Sequence, residues 1–458
     1  MQDKHFFNLY SFYILIFCFI ILFFVSRFGF NYPTPWEDES AFLHQSLGFY
    51  RHNTLFSSAL SDNRTIMWMQ PGYMVVMGFI YKLFGYSYAI SRHVSLFAYL
   101  VCFIIITRLV QIRVCSHAII IPILFFLTPA NLVCANIARM DVFILLLSLI
   151  TLISLLNKRY LIVIALMIMG VLTHFNMVYI AAPIAFILLN DLRENGLKKF
   201  YTAQNIDFFI LFFTIALFIC YINYVNDNYA SFVQDMAFQF SRKLSRKPIY
   251  TDFTKTSILI FISLFNLYTL YYAKRLALIF FSFSLSFYMI WGIGKEMWYA
   301  VFLNAAIMMF ILGLWTMLSK KPYKYALTLF TCILFLLEWQ RGFAGMHPQL
   351  FQEEYIDKST LQLIENKIID LNSDNKDHKK TISFVNEGDE LFFIDFLEKN
   401  NIEIIHRLPF DNSRIADICV FINKSINSDS LLISRSIPEY NYALITTKTT
   451  GELNTLLK

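Results

Sequence analysis

The chain has 458 residues, of which 57% are hydrophobic, 18% aromatic and only 15% charged, and its mean hydropathy is +0.54. A soluble protein carries about 25% charged residues, so most of this chain has no water-facing surface to cover. The net charge of +6 does not indicate nucleic-acid binding, because the basic residues lie in short groups between apolar segments, as in membrane proteins.

About eleven apolar segments are long enough to cross, or nearly cross, a hydrocarbon core of about 30 Å. They comprise residues 6–26, 93–107, 118–135, 142–156, 160–173, 177–190, 207–225, 257–273, 276–293, 297–318 and 325–339. The sequence therefore predicts a polytopic α-helical membrane protein with about eleven transmembrane helices. The shorter apolar run 71–84 opens with Pro-Gly and reaches Lys82, which predicts a helix lying at the interface.

The loops between these segments differ in their content of basic residues. One alternate set carries twelve Lys and Arg residues, whereas the opposite set carries seven, five of them in a single loop. The positive-inside rule places the richer set in the cytoplasm. The N-terminus is then cytoplasmic and the C-terminal region periplasmic or extracellular, and the expected location is a bacterial inner (plasma) membrane.

The chain is predicted to contain two domains. Residues 1–340 form the transmembrane domain, whose first outer loop, residues 27–92, is long enough to contain interfacial helices. Loops that only join spans are short, so this loop needs a further role. Residues 341–458 alternate between strand and helix patterns, which predicts a small soluble α/β domain outside the cytoplasm. Its predicted elements are strands at 381–385, 402–406, 417–422 and 442–447 and a helix at 389–400.

Three consecutive carboxylates, Glu37, Asp38 and Glu39, follow the first predicted span. Such a cluster at a membrane surface is costly unless it is hydrated or paired. Neighbouring carboxylates also raise one another's pKa, which favours a proton acceptor. The alternative is a solvated loop that merely ends the preceding helix.

Other polar residues lie where predicted spans meet the outer surface. Arg139 and Asp141 lie at the end of the third span. Charged residues within a membrane usually form ion pairs or take part in function. The alternative is that these two side chains only extend to the interface and anchor the helix there. Lys295 and Tyr299 lie at a later boundary. The alternative to a functional role for Lys295 is a simple ion pair with Glu296. His174 lies between two spans, and a satisfied interfacial histidine is favoured over a catalytic group.

Four basic residues, Arg242, Lys243, Arg246 and Lys247, lie in one outer loop against the positive-inside trend. A lipid phosphate is an anion that fits such a group, and a solvated basic patch is the alternative. The four charged candidate clusters, at residues 37–39, 139–141, 242–247 and 295, all fall on the outer side of the predicted topology. Carboxylates and basic groups that converge there indicate a site for a lipid-borne anionic substrate.

The order of these motifs resembles the GT-C glycosyltransferases of the protein O-mannosyltransferase and lipid A aminoarabinose-transferase type. That family has an acidic Asp-Glu pair after the first span and then a Pro-containing aromatic helix that ends in Leu-Phe-Gly. An Arg opens its second span, and Arg-x-Asp follows its third. The corresponding elements here are Asp38 and Glu39, residues 70–85, Arg92, and Arg139-Met-Asp141.

The resemblance implies transfer of a sugar, with inversion, from a polyprenyl-phosphate donor to a lipid, glycan or protein acceptor outside the cytoplasm. Direct displacement needs one base for the acceptor hydroxyl and positive charge where the leaving phosphate develops its own charge. The resemblance implies Asp38 as the base and Glu39 as its nearest rival. It implies Asp141 as a residue that orients the acceptor or a metal ion.

The resemblance also suggests the substrate contacts. The family's Pro-Pro, often preceded by a basic residue, corresponds here to Pro71-Gly72 preceded by Gln70, and a frequent Lys corresponds to His174. Some relatives of this type use a divalent cation and others use none, so the cofactor is left open. The residues expected to contact substrate are Gln70, Arg139, His174, Arg242, Lys243, Arg246, Lys247, Lys295 and Tyr299.

Three other classes of membrane protein are weighed against this one. A flippase or transporter for lipid-linked sugars predicts internal repeats and broken spans near the midplane, and the sequence has neither. An O-antigen ligase or polymerase usually has its catalytic loop late in the chain, whereas the strongest acidic cluster here lies early. A non-catalytic scaffold leaves the convergence of charged residues unexplained.

Overall fold

A computed structural model describes most of the chain. The described residues are 37–61, 64–196, 205–244, 252–272, 274–294, 299–343, 358–373, 380–384, 388–405, 418–420, 433–437 and 442–446. The first predicted span, residues 6–26, lies outside them.

The described residues are predominantly helical, as the sequence predicts. The helices are α1 (Glu37–His52), α2 (Gly72–Phe84), α3 (Tyr88–Arg113), α4 (Ile120–Phe126), α5 (Pro129–Ala135), α6 (Asp141–Leu156), α7 (Tyr160–Thr173), α8 (Val178–Asn195), α9 (Asn205–Asp227), α10 (Tyr229–Leu244), α11 (Phe253–Tyr271), α12 (Arg275–Gly294), α13 (Ala300–Met317), α14 (Lys321–Phe343), α15 (Lys358–Ser373) and α16 (Ile394–Lys399). Short 3-10 turns lie at Ser116–Ile119, Phe175–Met177 and Asp389–Phe392.

Five described helices, α3, α9, α11, α12 and α13, are long and apolar enough to cross a membrane, and α4 with α5 would make a sixth span as one bent element. The most apolar stretches of α12 and α13 are 72% and 61% buried, whereas those of α9 and α11 are 6% and 11% buried. The large apolar surface that α9 and α11 expose would be costly in water. The fold is therefore compatible with a membrane-embedded protein, and the count of eleven spans stays a prediction.

The predicted span 118–135 is not one straight helix, because α4 and α5 meet at an angle of 65°. Thr128 precedes a proline, which disfavours a helical backbone at that position, and it is extended. The Thr128 hydroxyl and the Asn131 amide donate to the Phe125 carbonyl at 3.0 and 2.7 Å. The Asn304 amide of α13 in turn donates to both of these side chains. These bonds satisfy polar groups at a break in an apolar region. The sequence does not reveal this broken element, although broken spans are a feature expected of the flippase or transporter class.

Helices α1 and α2 lie within the predicted first outer loop and pack against each other. The 13 residues of α2 extend about 20 Å, which is less than the thickness of a hydrocarbon core. The two helices approach closely at Gly78, where an added Cβ would lie 2.6 Å from the Phe49 ring and 3.0 Å from the Ser46 carbonyl oxygen. A glycine at this point of α2 therefore permits the contact with α1.

Polar contacts gather at both ends of the apolar helices. At one end, the start of α3 and the start of α6 meet α1, and these contacts form the candidate site described below. At the other end, three pairs of helices are joined through residues near their ends: α3 with α6, α7 with α9, and α8 with α12. These partners are Arg113 with Asn157, Arg159 with Asp207 and Arg275 with Asp191.

The C-terminal region contains a five-stranded sheet in the order β2-β1-β3-β5-β4. Its strands are β1 (Thr381–Phe384), β2 (Glu403–Ile404), β3 (Ile418–Val420), β4 (Ile433–Ile437) and β5 (Tyr442–Thr446). β4 is antiparallel to β5, and the other pairs are parallel. Apolar side chains of α15 and α16 pack on β1 and β3. The sequence predicts strands that overlap β1, β2, β3 and β5, and it misses β4.

Candidate functional site

The acidic cluster forms the first turn of α1. It does not lie in the solvated loop that the sequence left open as an alternative. The first turn of a helix favours carboxylates, because free backbone N–H groups and the helix dipole place positive potential there. Successive helical residues point about 100° apart, so Asp38 and Glu39 enter different surroundings. The side chain of Glu37 lies outside the described residues.

Glu39 is fully buried and receives donors from two other parts of the chain. Arg92 of α3 binds it with both ends of its guanidinium group, Nη2 to Oε2 at 2.9 Å and Nε to Oε1 at 3.2 Å. The Tyr88 hydroxyl donates to Oε2 at 3.2 Å, and the Ala138 backbone N–H donates to Oε1 at 2.6 Å. Glu39 thereby joins α1 to α3 and to the loop before α6. Both of its oxygens are used in this structural role.

Asp38 lies in a more open environment. Its side chain is 20% exposed and pairs with Nη1 of Arg139, which is 3% exposed. Arg139 also donates through Nε to Oδ2 of buried Asp141 at 3.0 Å. One guanidinium group therefore holds two carboxylates, and Asp38 is the one that reaches solvent.

Arg139 stays a cation in this site. Burial by itself lowers the pKa of Arg139, but the nearby carboxylates of Asp38 and Asp141 outweigh that effect, and the pKa lies above its ordinary value. Tyr299, which directly precedes α13, lies near enough to interact electrostatically with Arg139. The Phe42 ring of α1 lies 5.5 Å from the guanidinium carbon. Asp38, Arg139, Asp141 and Tyr299 thus form one cluster.

Gln70 and His174 meet at a neighbouring point of the structure. Gln70 is buried, and its side-chain oxygen accepts the backbone N–H of Phe175 at 3.1 Å. His174 is also buried, and its Nδ1 accepts the backbone N–H of Asn176 at 2.9 Å. Both side chains therefore brace the turn between α7 and α8, which is the structural alternative that the sequence favours for His174.

The predicted basic candidates are described only in part. Arg242 and Lys243 belong to the last turn of α10, and their side chains lie outside the described residues. Arg246, Lys247 and Lys295 lie outside the described residues altogether. Their place beside the cluster remains a prediction.

A partly buried ion pair that the sequence does not predict holds the loop between α1 and α2. Arg64 binds Asp235 of α10 with two hydrogen bonds of 3.0 and 2.9 Å, and Asp235 also accepts the Met67 backbone N–H at 2.6 Å. The two charged residues are 171 positions apart, and no local pattern connects them. The contact of Arg92 could be anticipated from the sequence, unlike that of Arg64, because an arginine at the start of an apolar segment indicates a buried partner.

The C-terminal region contacts α1 two residues beyond Asp38. Glu390 is buried, accepts the hydroxyl of Ser40 and the Gly388 backbone N–H, and lies 3.5 Å from His44 Nε2. The Tyr86 hydroxyl donates to the carbonyl of the next residue in that turn, at 3.1 Å. A cleft of about 220 Å³ lies between the second half of α1, the loop after it and the α16 region. Asp38 is not among its lining residues.

Neither a metal-binding arrangement nor a similarity to known proteins assigns a function to this site. Within the described ranges, no group of three or more His, Cys, Asp or Glu residues is arranged to hold a metal ion. No protein-family model matches the chain, and neither a curated protein nor a solved structure matches it. The candidate site therefore stands on its own geometry.

Proposed function

We propose that the chain is a membrane glycosyltransferase of the GT-C type. It transfers a sugar from a polyprenyl-phosphate donor to an extracytoplasmic lipid, glycan or protein acceptor, with inversion. The observation that carries this proposal is the different environment of the two members of the acidic pair. Glu39 is sealed by Arg92, Tyr88 and Ala138, whereas Asp38 is partly exposed. A catalytic base must reach its substrate, so Asp38 is assigned that role.

In the proposed reaction, Asp38 accepts the proton of an acceptor hydroxyl as that oxygen forms a bond to the anomeric carbon of the donor sugar. The bond from this carbon to the phosphate oxygen breaks on the opposite side. The phosphate leaves with the electron pair as a stable anion, so the step requires no general acid. Arg139 positions Asp38, and Asp141 holds Arg139 from its other side.

Charge for the leaving phosphate has to come from groups other than Arg139 alone. Arg139 is shared by two carboxylates, so little of its charge is available for a third anion. Lys295 and the four basic residues at 242–247 are the proposed phosphate contacts, with Tyr299 as a neutral neighbour of Arg139. The proposed mechanism contains no metal step, because the guanidinium group already bridges the two carboxylates.

The arrangement of the helix ends supports the predicted topology. Helices α3, α6 and α8 run from the end that carries the site to the end with the Arg113, Arg159 and Arg275 contacts, and α7 runs in the opposite direction. We infer that the shorter helices also cross the membrane, which gives about eleven spans with 6–26 included. The site end is then extracytoplasmic, and the C-terminal α/β domain, which contacts α1 there, lies outside the cytoplasm.

Transfer by the purified protein tests this proposal. The protein in lipid nanodiscs is supplied with polyprenyl-phosphate-linked sugars and acceptor extracts, and the products are measured by mass spectrometry. Glycans and lipids from cells with and without the gene identify the acceptor class. Asp38→Asn should abolish most transfer, and the neighbouring Glu37→Gln is the matched control. Wild-type rates in both Asp38→Asn and Glu39→Gln would rule the mechanism out.

A further inference from the structure

The helix α10 has its polar and apolar faces reversed relative to an ordinary surface helix. Its two buried positions are polar: Asp235 is fully buried and Gln239 is nearly so. Its large exposed side chains are apolar, with Tyr229 64%, Val233 45% and Phe240 65% exposed. Residues spaced by four and by seven lie on one face of a helix, so these three side chains form an apolar stripe along it. A surface helix in water has the opposite pattern.

The position of α10 in the chain brings it to the edge of the membrane-embedded part. It starts two residues after α9 ends and is followed after eight residues by α11. α9 and α11 are candidate spans that bury only 6% and 11% of their most apolar stretches, so both are peripheral and face lipid. The apolar stripe of α10 therefore continues a surface that already faces lipid.

The charge around α10 identifies the surface that would cover the stripe. The sequence places Arg242 and Lys243 in its last turn and Arg246 and Lys247 directly after it. Basic residues at the end of an amphipathic helix favour anionic headgroups, while its apolar side chains enter the boundary between headgroups and acyl chains. We propose that α10 docks on the outer surface of an anionic bilayer through the stripe of Tyr229, Val233 and Phe240.

This docking connects the bilayer to the candidate site without any new contact. Asp235, on the opposite face of α10, holds Arg64 and the Met67 backbone N–H of the loop between α1 and α2. Three residues further on, Gln70 binds the turn before α8. A helix anchored in the headgroup region thereby fixes the depth of this loop relative to the lipid. The inference does not depend on the glycosyltransferase proposal.

Spin-label accessibility in the full-length protein tests the docking. In a background with cysteines replaced by serine, a nitroxide is attached at Val233→Cys, Phe240→Cys or Gln234→Cys, in nanodiscs of phosphatidylglycerol and phosphatidylcholine. Gln234 is the matched control, because it is exposed but lies beside the stripe. The ratio of oxygen to nickel-chelate accessibility should be higher at Val233 and Phe240 than at Gln234. The difference should shrink in phosphatidylcholine alone.

Three results would overturn the proposal. Equal ratios at the three positions would place the stripe in water. Labels shielded from both oxygen and nickel at Val233 and Phe240 would show that protein, such as a second copy of the chain, covers the stripe. If the difference in accessibility ratio is unchanged without phosphatidylglycerol, anionic headgroups do not contribute to the interaction.

Discussion

Substituting the two adjacent carboxylates of α1 one at a time should separate an effect on stability from an effect on catalysis. Glu39→Gln leaves the guanidinium group of Arg92, which is fully buried, without its counter-charge. The new amide also points an N–H₂ group towards donors from Arg92 and Ala138. Removing one partner of a buried ion pair costs about 3–5 kcal/mol. About 1 kcal/mol corresponds to roughly 2–4 °C in domains of 150–250 residues, so Tm should fall by at least several degrees.

Asp38→Asn should have the opposite profile. Asn can still accept a hydrogen bond from Arg139, and Asp141 remains as the second partner, so the expected loss is on the order of 1 kcal/mol. The amide cannot take up the proton of an acceptor hydroxyl at neutral pH. A positioned base contributes about 10²–10⁴-fold to the rate, and turnover should fall by that factor.

Heating followed by size-exclusion chromatography gives Tm, and single-turnover transfer from the lipid donor gives the chemical rate. The double variant Glu39→Gln with Arg92→Met removes the buried cation and should recover part of the lost stability. A stable, inactive Glu39→Gln beside an active Asp38→Asn would swap the two roles. A double variant less stable than Glu39→Gln alone would refute the ion-pair reasoning.

Three further predictions concern topology, phosphate binding and the C-terminal contact. An impermeant thiol reagent added outside intact cells should label Lys399→Cys but not Lys321→Cys, and the reverse would invert the topology. Neutralising Lys295 and the four basic residues at 242–247 should weaken donor binding or turnover. The effect on folding should be small if these residues lie in outer loops as predicted, because surface charges contribute about 0–1 kcal/mol; unchanged activity would leave them without a role. Glu390→Gln should make the C-terminal region easier to remove by limited proteolysis, whereas the exposed Asp395→Asn is the control; equal cleavage would show that the Glu390 contacts do not hold that region.

The sequence predicts apolar helices well where long apolar runs end at polar residues. Predicted segments 142–156 and 160–173 agree with α6 and α7 to within one residue. The angle between α4 and α5 is less accessible, although the proline there is visible. It depends on the Asn304 side chain, which lies more than 170 positions away from its partners.

Interfacial helices are expected within residues 27–92, but the bounds of α1 are not predicted, for a different physical reason. Several of its polar side chains are buried, among them Ser40, His44 and Gln45, so the helix has no polar outer face to produce an amphipathic pattern. The sequence indicates the importance of Asp38 and Glu39 through their charge, but it leaves the choice of base open. That choice depends on Arg92 and Arg139, which approach α1 from 53 and 101 positions away.

The contact between Ser40 and Glu390 also has a consequence for biosynthesis. The two residues are 350 positions apart, and a ribosome adds about 5–20 residues per second. The interval between their synthesis is therefore about 20 to 70 s. During that time the helix that carries Asp38 is already made, but the turn that packs beside it is not. The nascent chain passes through a stage in which its apolar helices can insert while the candidate site is still unfinished.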